Sequence, residues 1–147
     1  MPRTQAPDPD SLLAAFAHPT RLRILNLLHE DELCVGDLVR LLDVPQPTAS
    51  RHLAHLRAAG LLSARKAGLW IYYALAEAQS PFHAKLVECL GCCFREAPEL
   101  AADLAAARRL AKQGGCCPLH ERGAAAGAKS PRAARAARAR SGQGCCP

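Results

Sequence analysis

The chemistry of this chain lies in its sulfur. Eight cysteines stand at positions 34, 89, 92, 93, 116, 117, 145 and 146. Six of them form vicinal pairs, each directly after a glycine: Gly91-Cys92-Cys93, Gly115-Cys116-Cys117 and Gly144-Cys145-Cys146. Cysteines used as small buried hydrophobes do not cluster in this way, so the pairs read as ligands for a thiophilic ion. Cys34 follows Leu33 at an apolar helix start and reads as a buried, inert thiol. Cys89, Cys92 and Cys93 are i, i+3 and i+4 on one helix, which puts their Cβ atoms ~5–6 Å apart on one face. Cys116 and Cys117 follow a Gly-Gly hinge and are free to swing back towards that face. A soft ion held by Cys116 and Cys117 with a thiol from the Cys89–Cys93 turn is the arrangement this spacing suggests. Trivalent arsenic takes three sulfurs, and no histidine is interleaved with the pairs; zinc more often recruits a Cys/His mixture. Oxidation of the paired thiols is the competing chemistry, although a disulfide between adjacent residues is strained.

Those thiols need helices to carry them. Ser80-Pro81 is an N-cap followed by proline at N1, and predicts a helix from Pro81 to about Glu96. Pro98 opens another, with Leu100, Leu104, Ala107 and Ala111 as its apolar stripe, and Gly114-Gly115 ends it. Glu99 and Asp103 near its start, and Arg108, Arg109 and Lys112 near its end, suit the macrodipole. Both helices are amphipathic and need a surface to pack against.

Upstream, residues 33–60 predict two short helices joined by a tight turn. Val35, Leu38, Leu41 and Leu42 recur at helical spacing. Pro45 drives the residue before it out of the α region. Pro47 suits the first turn of the next helix, Ala49, Leu53 and Leu56 form its inward stripe, and Gly60 closes it. Gln46, Thr48, Ser50, Arg51, His52 and His55 are left facing outward. Side chains of this kind at the start of the second helix of such a pair can reach base edges and phosphates, so the face reads as a DNA-recognition surface. An ordinary solvated helix face is the alternative. Leu62 and Ala64 lead into Arg65-Lys66-Ala67-Gly68, Leu69 to Leu75 is rich in β-branched and aromatic residues, and the stretch predicts a hairpin with a glycine in its tip. Directly after a recognition helix it reads as a wing, with Arg65 and Lys66 near the DNA backbone and Trp70 packed beneath.

The N-terminal third predicts a disordered arm over residues 1–10. Ser11 then caps a short helix through Leu12, Leu13 and Phe16, and His18-Pro19 interrupts it. A second helix follows with Leu22, Leu25 and Leu28 inside, Ile24 flanking, and Arg21 and Arg23 pointing into solvent.

Charge sharpens the division. Residues 1–117 hold 13 Lys+Arg against 12 Asp+Glu, while residues 118–147 hold 6 against 1, so the net +6 resides almost wholly in the tail. That tail, Ala, Gly, Arg and Ser with Arg132, Arg135 and Arg138 at every third place, is low in complexity and reads as a flexible, solubilising segment. The domain plan is therefore an arm at 1–10, a folded domain at 11–113 and a Cys-pair and Ala/Arg-rich tail at 114–147. The fold class expected is mostly α with a small β-hairpin. No stretch of eighteen apolar residues occurs, and MPRTQAPDPD has no apolar core of a secretory signal, so a cytoplasmic protein with reduced thiols and no membrane contact is expected. No Cys-His pair has a nucleophile's setting and no glycine loop cradles phosphate, so an enzyme is not expected.

Taken together, Glu32-Leu33-Cys34-Val35, Gln46-Pro47, Ser50-Arg51-His52-Leu53, Leu56-Arg57 and Ala59-Gly60-Leu61 resemble the ArsR/SmtB family of metal-sensing repressors. Gly68-Leu69-Trp70-Ile71-Tyr72-Tyr73 resembles the wing of its arsenic-responsive members. The likeness covers about residues 12–112. It implies a winged helix-turn-helix homodimer whose first and last helices build the two-fold interface, bound to a pseudo-palindromic operator. In many arsenic-sensing members the ligands are a Cys-Val-Cys and a further cysteine before the recognition helix; here Cys34 remains, with Gly36 and Val39 in the other places. The histidine and carboxylate site of zinc-sensing members has only His83 as a trace, and that residue reads as a surface histidine. The resemblance is instead to members with ligands in the C-terminal helices, which favours Cys116 and Cys117 first, then Cys93 and Cys89, then Cys92. The implied inducer is arsenite or methylarsenite, with antimonite, cadmium, lead or zinc as other thiophilic candidates. A repressor of the same fold switched by thiol oxidation, and a metal-sequestering protein with no regulatory role, are the alternatives.

Overall fold

A computed structural model describes residues 6–94 and 96–115. Its centre is helix α2 (Pro19–Glu30), in which Ile24 to Leu28 and His29 are all buried in succession. A helix buried on every side needs neighbours on every side. They are α1 (Pro9–Phe16), α3 (Val35–Leu42), α4 (Gln46–Ala58), α5 (Pro81–Cys92), α6 (Pro98–Lys112) and strand β3 (Trp70–Leu75). This corrects the single inward stripe expected for α2: Ile24 is fully buried, whereas Leu22 is only half-buried.

Its two arginines are not solvated either. Arg21 donates to the carbonyls of Ala15 and Ala14 at 2.9 Å each and so ties α2 to the end of α1. Arg23 grips Asp103 of α6 with two bonds of 2.7 and 2.8 Å. Helix α1 begins earlier than its sequence suggests. Asp8, not Ser11, is the cap, accepting the N–H groups of Asp10 and Ser11 and the Ser11 hydroxyl, with Pro9 at N1. Residues 9 and 10, expected in the arm, are therefore helical.

The sheet has three strands rather than a hairpin's two. Strands β2 (Leu62–Ala67) and β3 pair antiparallel around Gly68-Leu69, with Ala67 opposite Trp70. Gly68 takes φ +60°, the positive value that a tight two-residue turn demands at its first position. The third strand is β1 (Leu33–Cys34), paired with β3 so that Cys34 lies opposite Tyr72. Two residues are too few to carry a periodicity, so the stretch reads from sequence as helix. Cys34 is the N-cap of α3: its sulfur accepts the Asp37 N–H at 3.4 Å.

Between α3 and α4 the chain turns through Asp43 in the left-handed region (φ +53°), which Asp tolerates better than most residues. Ala49, Leu53 and Leu56 then lie fully buried beneath α4, and Gly60 at φ +76° ends it. Helix α5, capped by the Ser80 hydroxyl on the His83 N–H, stops at Cys92 and not near Glu96. Helix α6 buries Leu100, Asp103 and Leu110, while Ala111 is exposed, a face rotated from the expected stripe. The rotation follows from Arg23: burying Asp103 against it turns α6 onto α2, where Asn26 also donates to the Leu100 carbonyl at 3.1 Å. No helix among the described residues is long and apolar enough to cross a membrane.

Candidate functional site

On α4, Gln46, Ser50, Arg51 and His55 are exposed, and Thr48 and His52 half-buried. Arg51 and His55 lie opposite Ala49, Leu53 and Leu56, Thr48 and Ser50 stand at the flanks, and Gln46 and His52 border the buried stripe, as the 3.6-residue period requires. His52 does not stand alone. Its ring meets that of His18, the N-cap of α2, with centroids 4.5 Å apart and planes at 43°. Burial first, and then the positive or protonatable neighbours His18, Arg21, Arg51 and His55, push the His52 imidazole below its ordinary range. Sequence reasoning missed His18, because a contact across 34 positions leaves no local trace.

The wing is strapped to the body. Arg65 Nε bonds both carboxylate oxygens of Glu32 at 3.1 and 3.0 Å, Arg65 Nη2 closes the pair, and the guanidinium lies 4.5 Å from the Tyr72 ring centroid. That charge is engaged within the fold and positions the wing. Lys66, the next residue, is exposed. Trp70 packs with Cys34, Tyr72 and Ala67, in keeping with a packing role.

A second chemistry-bearing region sits at the end of α5. Cys89 and Cys92 are half-buried and Cys93 is exposed. The Cys92 and Cys93 sulfurs lie 3.5 Å apart, and Cys92 also reaches the Glu88 carbonyl at 3.4 Å. Hydrogen bonding with Cys92, and then with Cys89, pushes the Cys93 thiol up to about 12. All three thiols thus converge, though among the described residues no three His, Cys, Asp or Glu side chains are arranged to hold a metal ion as they stand. Cys116, Cys117, Cys145 and Cys146 lie outside the described residues. Cys34 is fully buried beneath Tyr72, consistent with an inert thiol. His83, expected at the surface, is fully buried: its Nδ1 accepts the Gln79 N–H at 3.3 Å, and burial lowers its pKa.

Two helices at a tight turn, a polar second helix and a strand-paired wing define a winged helix-turn-helix DNA-binding protein. Residues 18–64 match the family model described as bacterial regulatory protein, arsR family. The arsenical resistance operon repressor of Escherichia coli is 42% identical over 106 residues, covering 71% of this chain and 86% of the relative. The arsenic resistance transcriptional regulator ArsR1 of Pseudomonas putida is 46% identical over 68 residues, covering 46% of this chain and 53% of the relative. HlyU from Vibrio cholerae superposes with a TM-score of 0.53 at 36% identity, covering 59% of this chain and 91% of that one. The chain belongs to the arsR family of bacterial regulatory proteins. It is a DNA-binding transcriptional repressor and not an enzyme.

Proposed function

We propose that this repressor works as a cytoplasmic homodimer on a pseudo-palindromic operator, and leaves it when trivalent arsenic or another thiophilic ion bonds to its cysteine thiols. The observation that carries this reading is the convergence of Cys89, Cys92 and Cys93 at the end of α5. Two thiolates on one tetrahedral ion at ~2.3 Å lie ~3.8 Å apart. The 3.5 Å between Cys92 and Cys93 is close to that already. An ion would also displace the proton that the free Cys93 thiol retains. The name of the Escherichia coli relative points to an arsenical.

Leu90 gives the signal a route. It is 2% exposed, lies within the same turn as the thiols, and belongs to the core that α2 and α4 share. Drawing three sulfurs onto one ion tightens that turn and shifts Leu90 against α2, the helix on which α4 rests. Moving the operator equilibrium from 99:1 to 1:99 needs ~5.5 kcal/mol of differential affinity. Cys116 and Cys117 follow Gly115, the last described residue, just beyond α6, and enter this reading through the sequence alone.

The test is operator release, read by fluorescence anisotropy on the DNA upstream of the protein's own gene, against arsenite, methylarsenite, antimonite, cadmium, lead and zinc. Cys92→Ser with Cys93→Ser is expected to bind DNA normally and to lose the response. Cys116→Ser with Cys117→Ser reports whether that pair completes the site. Should both double variants release DNA at the wild-type dose, the thiol assignment is wrong. Release by peroxide without any ion identifies the oxidation switch instead.

A further inference from the structure

The pairing of His18 with His52 has no part in the argument for sulfur sensing. It joins the N-cap of α2 to the half-buried flank of α4, beside the exposed Arg51 and His55 where phosphate contacts are expected. His18 Nδ1 accepts the Thr20 N–H at 3.2 Å, so the proton of the neutral ring is on Nε2, away from the α2 backbone.

The charges around this pair are of one sign. From α2 come His18 and Arg21, and from α4 come Arg51 and His55; the two arginines are positive, the two histidines become so on protonation, and all four disfavour a charge on His52. Helix α1 contributes only the Ala14 and Ala15 carbonyls, which hold Arg21 in place. Neither α3 nor β2, which also pack on α4, brings a charge to His52. Among the described residues, four positive or protonatable groups and no carboxylate act on His52, so the local field attracts an anion.

We propose that the His18–His52 pair is a phosphodiester-binding site, at which a DNA backbone phosphate is held by a proton taken up from solvent on binding. The inference rests on the DNA-binding reading and deepens it. In the free protein His52 is kept neutral by burial and by its cationic neighbours. A phosphate oxygen within hydrogen-bond distance reverses the balance, because an opposite charge favours the imidazolium. The imidazole gains one proton from water, the phosphate keeps its charge, and the bound state carries one proton more than the free state. Affinity therefore rises as pH falls through the interval between the bound and the free pKa of His52. The contact is to backbone, so it changes affinity and salt dependence and leaves base preference alone.

The experiment uses full-length protein and a labelled duplex of the DNA directly upstream of its own gene, titrated at fixed ionic strength between about pH 5.5 and 8. For wild type the dissociation constant is expected to fall with falling pH, by up to about tenfold per unit where uptake of one proton is complete. Calorimetry in two buffers of different ionisation heat should register that proton directly. His52→Gln is expected to bind with a flattened pH profile and without the uptake. His52→Arg, permanently charged, is expected to be equally flat but to keep at high pH the affinity that wild type reaches only at low pH. Its salt slope should exceed that of His52→Gln by about 0.9, the contribution of one phosphate. His18→Gln is expected to reduce the uptake while retaining binding. Equal proton uptake in wild type and His52→Gln overturns the proposal and leaves DNA binding standing. Failure of the wild type to retain the duplex at any pH overturns both.

Discussion

Helix α4 and the last turn of α5 both face solvent, both pack on α2 and both carry reactive or recognising side chains, yet they are held differently. Beneath α4 lie Ala49, Leu53 and Leu56, none of them exposed at all, and the chain leaving it runs through buried Leu61 into a wing strapped by Glu32 and Arg65. Beneath the last turn of α5 lies Leu90, followed by half-buried Gly91 and Cys92, exposed Cys93 and a turn up to Pro98. The DNA face is thus preformed, while the thiol end has few buried contacts to lose. Segments of that second kind open locally at little free-energy cost. The contrast suggests why a signal should enter at α5: an ion can reorganise that turn without first unfolding the helix-turn-helix.

The sharpest way to break this comparison is a matched pair of core truncations. Leu53 and Leu90 are both buried leucines, at 0% and 2% exposure. Leucine-to-alanine costs range over roughly 3–5 kcal/mol, and the spread reflects how well the site collapses. Leu53→Ala is expected near the top, at about 4 kcal/mol, since α4 is pinned at both ends. Leu90→Ala is expected near the bottom, at about 3 kcal/mol, because the half-exposed turn that follows it can settle into the gap. Denaturant melts of the two variants measure the difference. Equal or reversed costs would remove the distinction between a rigid end and a soft one.

Arg23→Ala tests the element that links the two ends. The Arg23 and Asp103 side chains are 19% and 7% exposed, and their double hydrogen bond is what fixes α6 on α2. Truncation leaves the Asp103 carboxylate nearly buried without its cation, at an expected cost of about 2 kcal/mol. Loss of global stability with retained operator affinity is the expected outcome. A variant that melts like wild type would show α6 to be held by its leucines alone.

How far these features were legible depended on the distance over which each is encoded. The helix-turn-helix could be read because its signals are local: Pro47 at the start of α4, Gly60 at its end and a 3.6-residue stripe between them. The hairpin follows from Gly68 and the Trp70-Ile71-Tyr72-Tyr73 run after it. Strand β1 could not be read, since Leu33 and Cys34 owe their conformation to Tyr73 and Tyr72 across the sheet. The ends of long-range pairs were invisible for the same reason. Arg23 looks solvated until Asp103, eighty positions on, is folded against it, and Arg65 shows no partner in the sequence until Glu32 is folded against it. His83 looked like a surface residue because an N-terminal helix position is usually exposed; Ser80 and Gln79 instead fold the chain over it. The nearness of Cys89, Cys92 and Cys93 is legible from helical spacing alone, because i, i+3 and i+4 share one helix face.

The smallest effect is expected at the other end of α5, and it separates the helix from its last turn. Ser80 caps α5 by accepting the His83 N–H at 3.1 Å. Ser80→Ala removes that bond and is expected to cost about 1 kcal/mol. The cap lies ~18 Å from the thiols along the twelve-residue helix. If the thiol turn responds to its ion as a local unit, the denaturant midpoint should fall with an unchanged slope, while the dose of metalloid that releases DNA stays at its wild-type value. A dose that shifts together with the midpoint would mean that α5 moves as one rod from Ser80 to Cys92. In that case its N-terminal contacts with α1 would belong to the switch as much as its sulfur does.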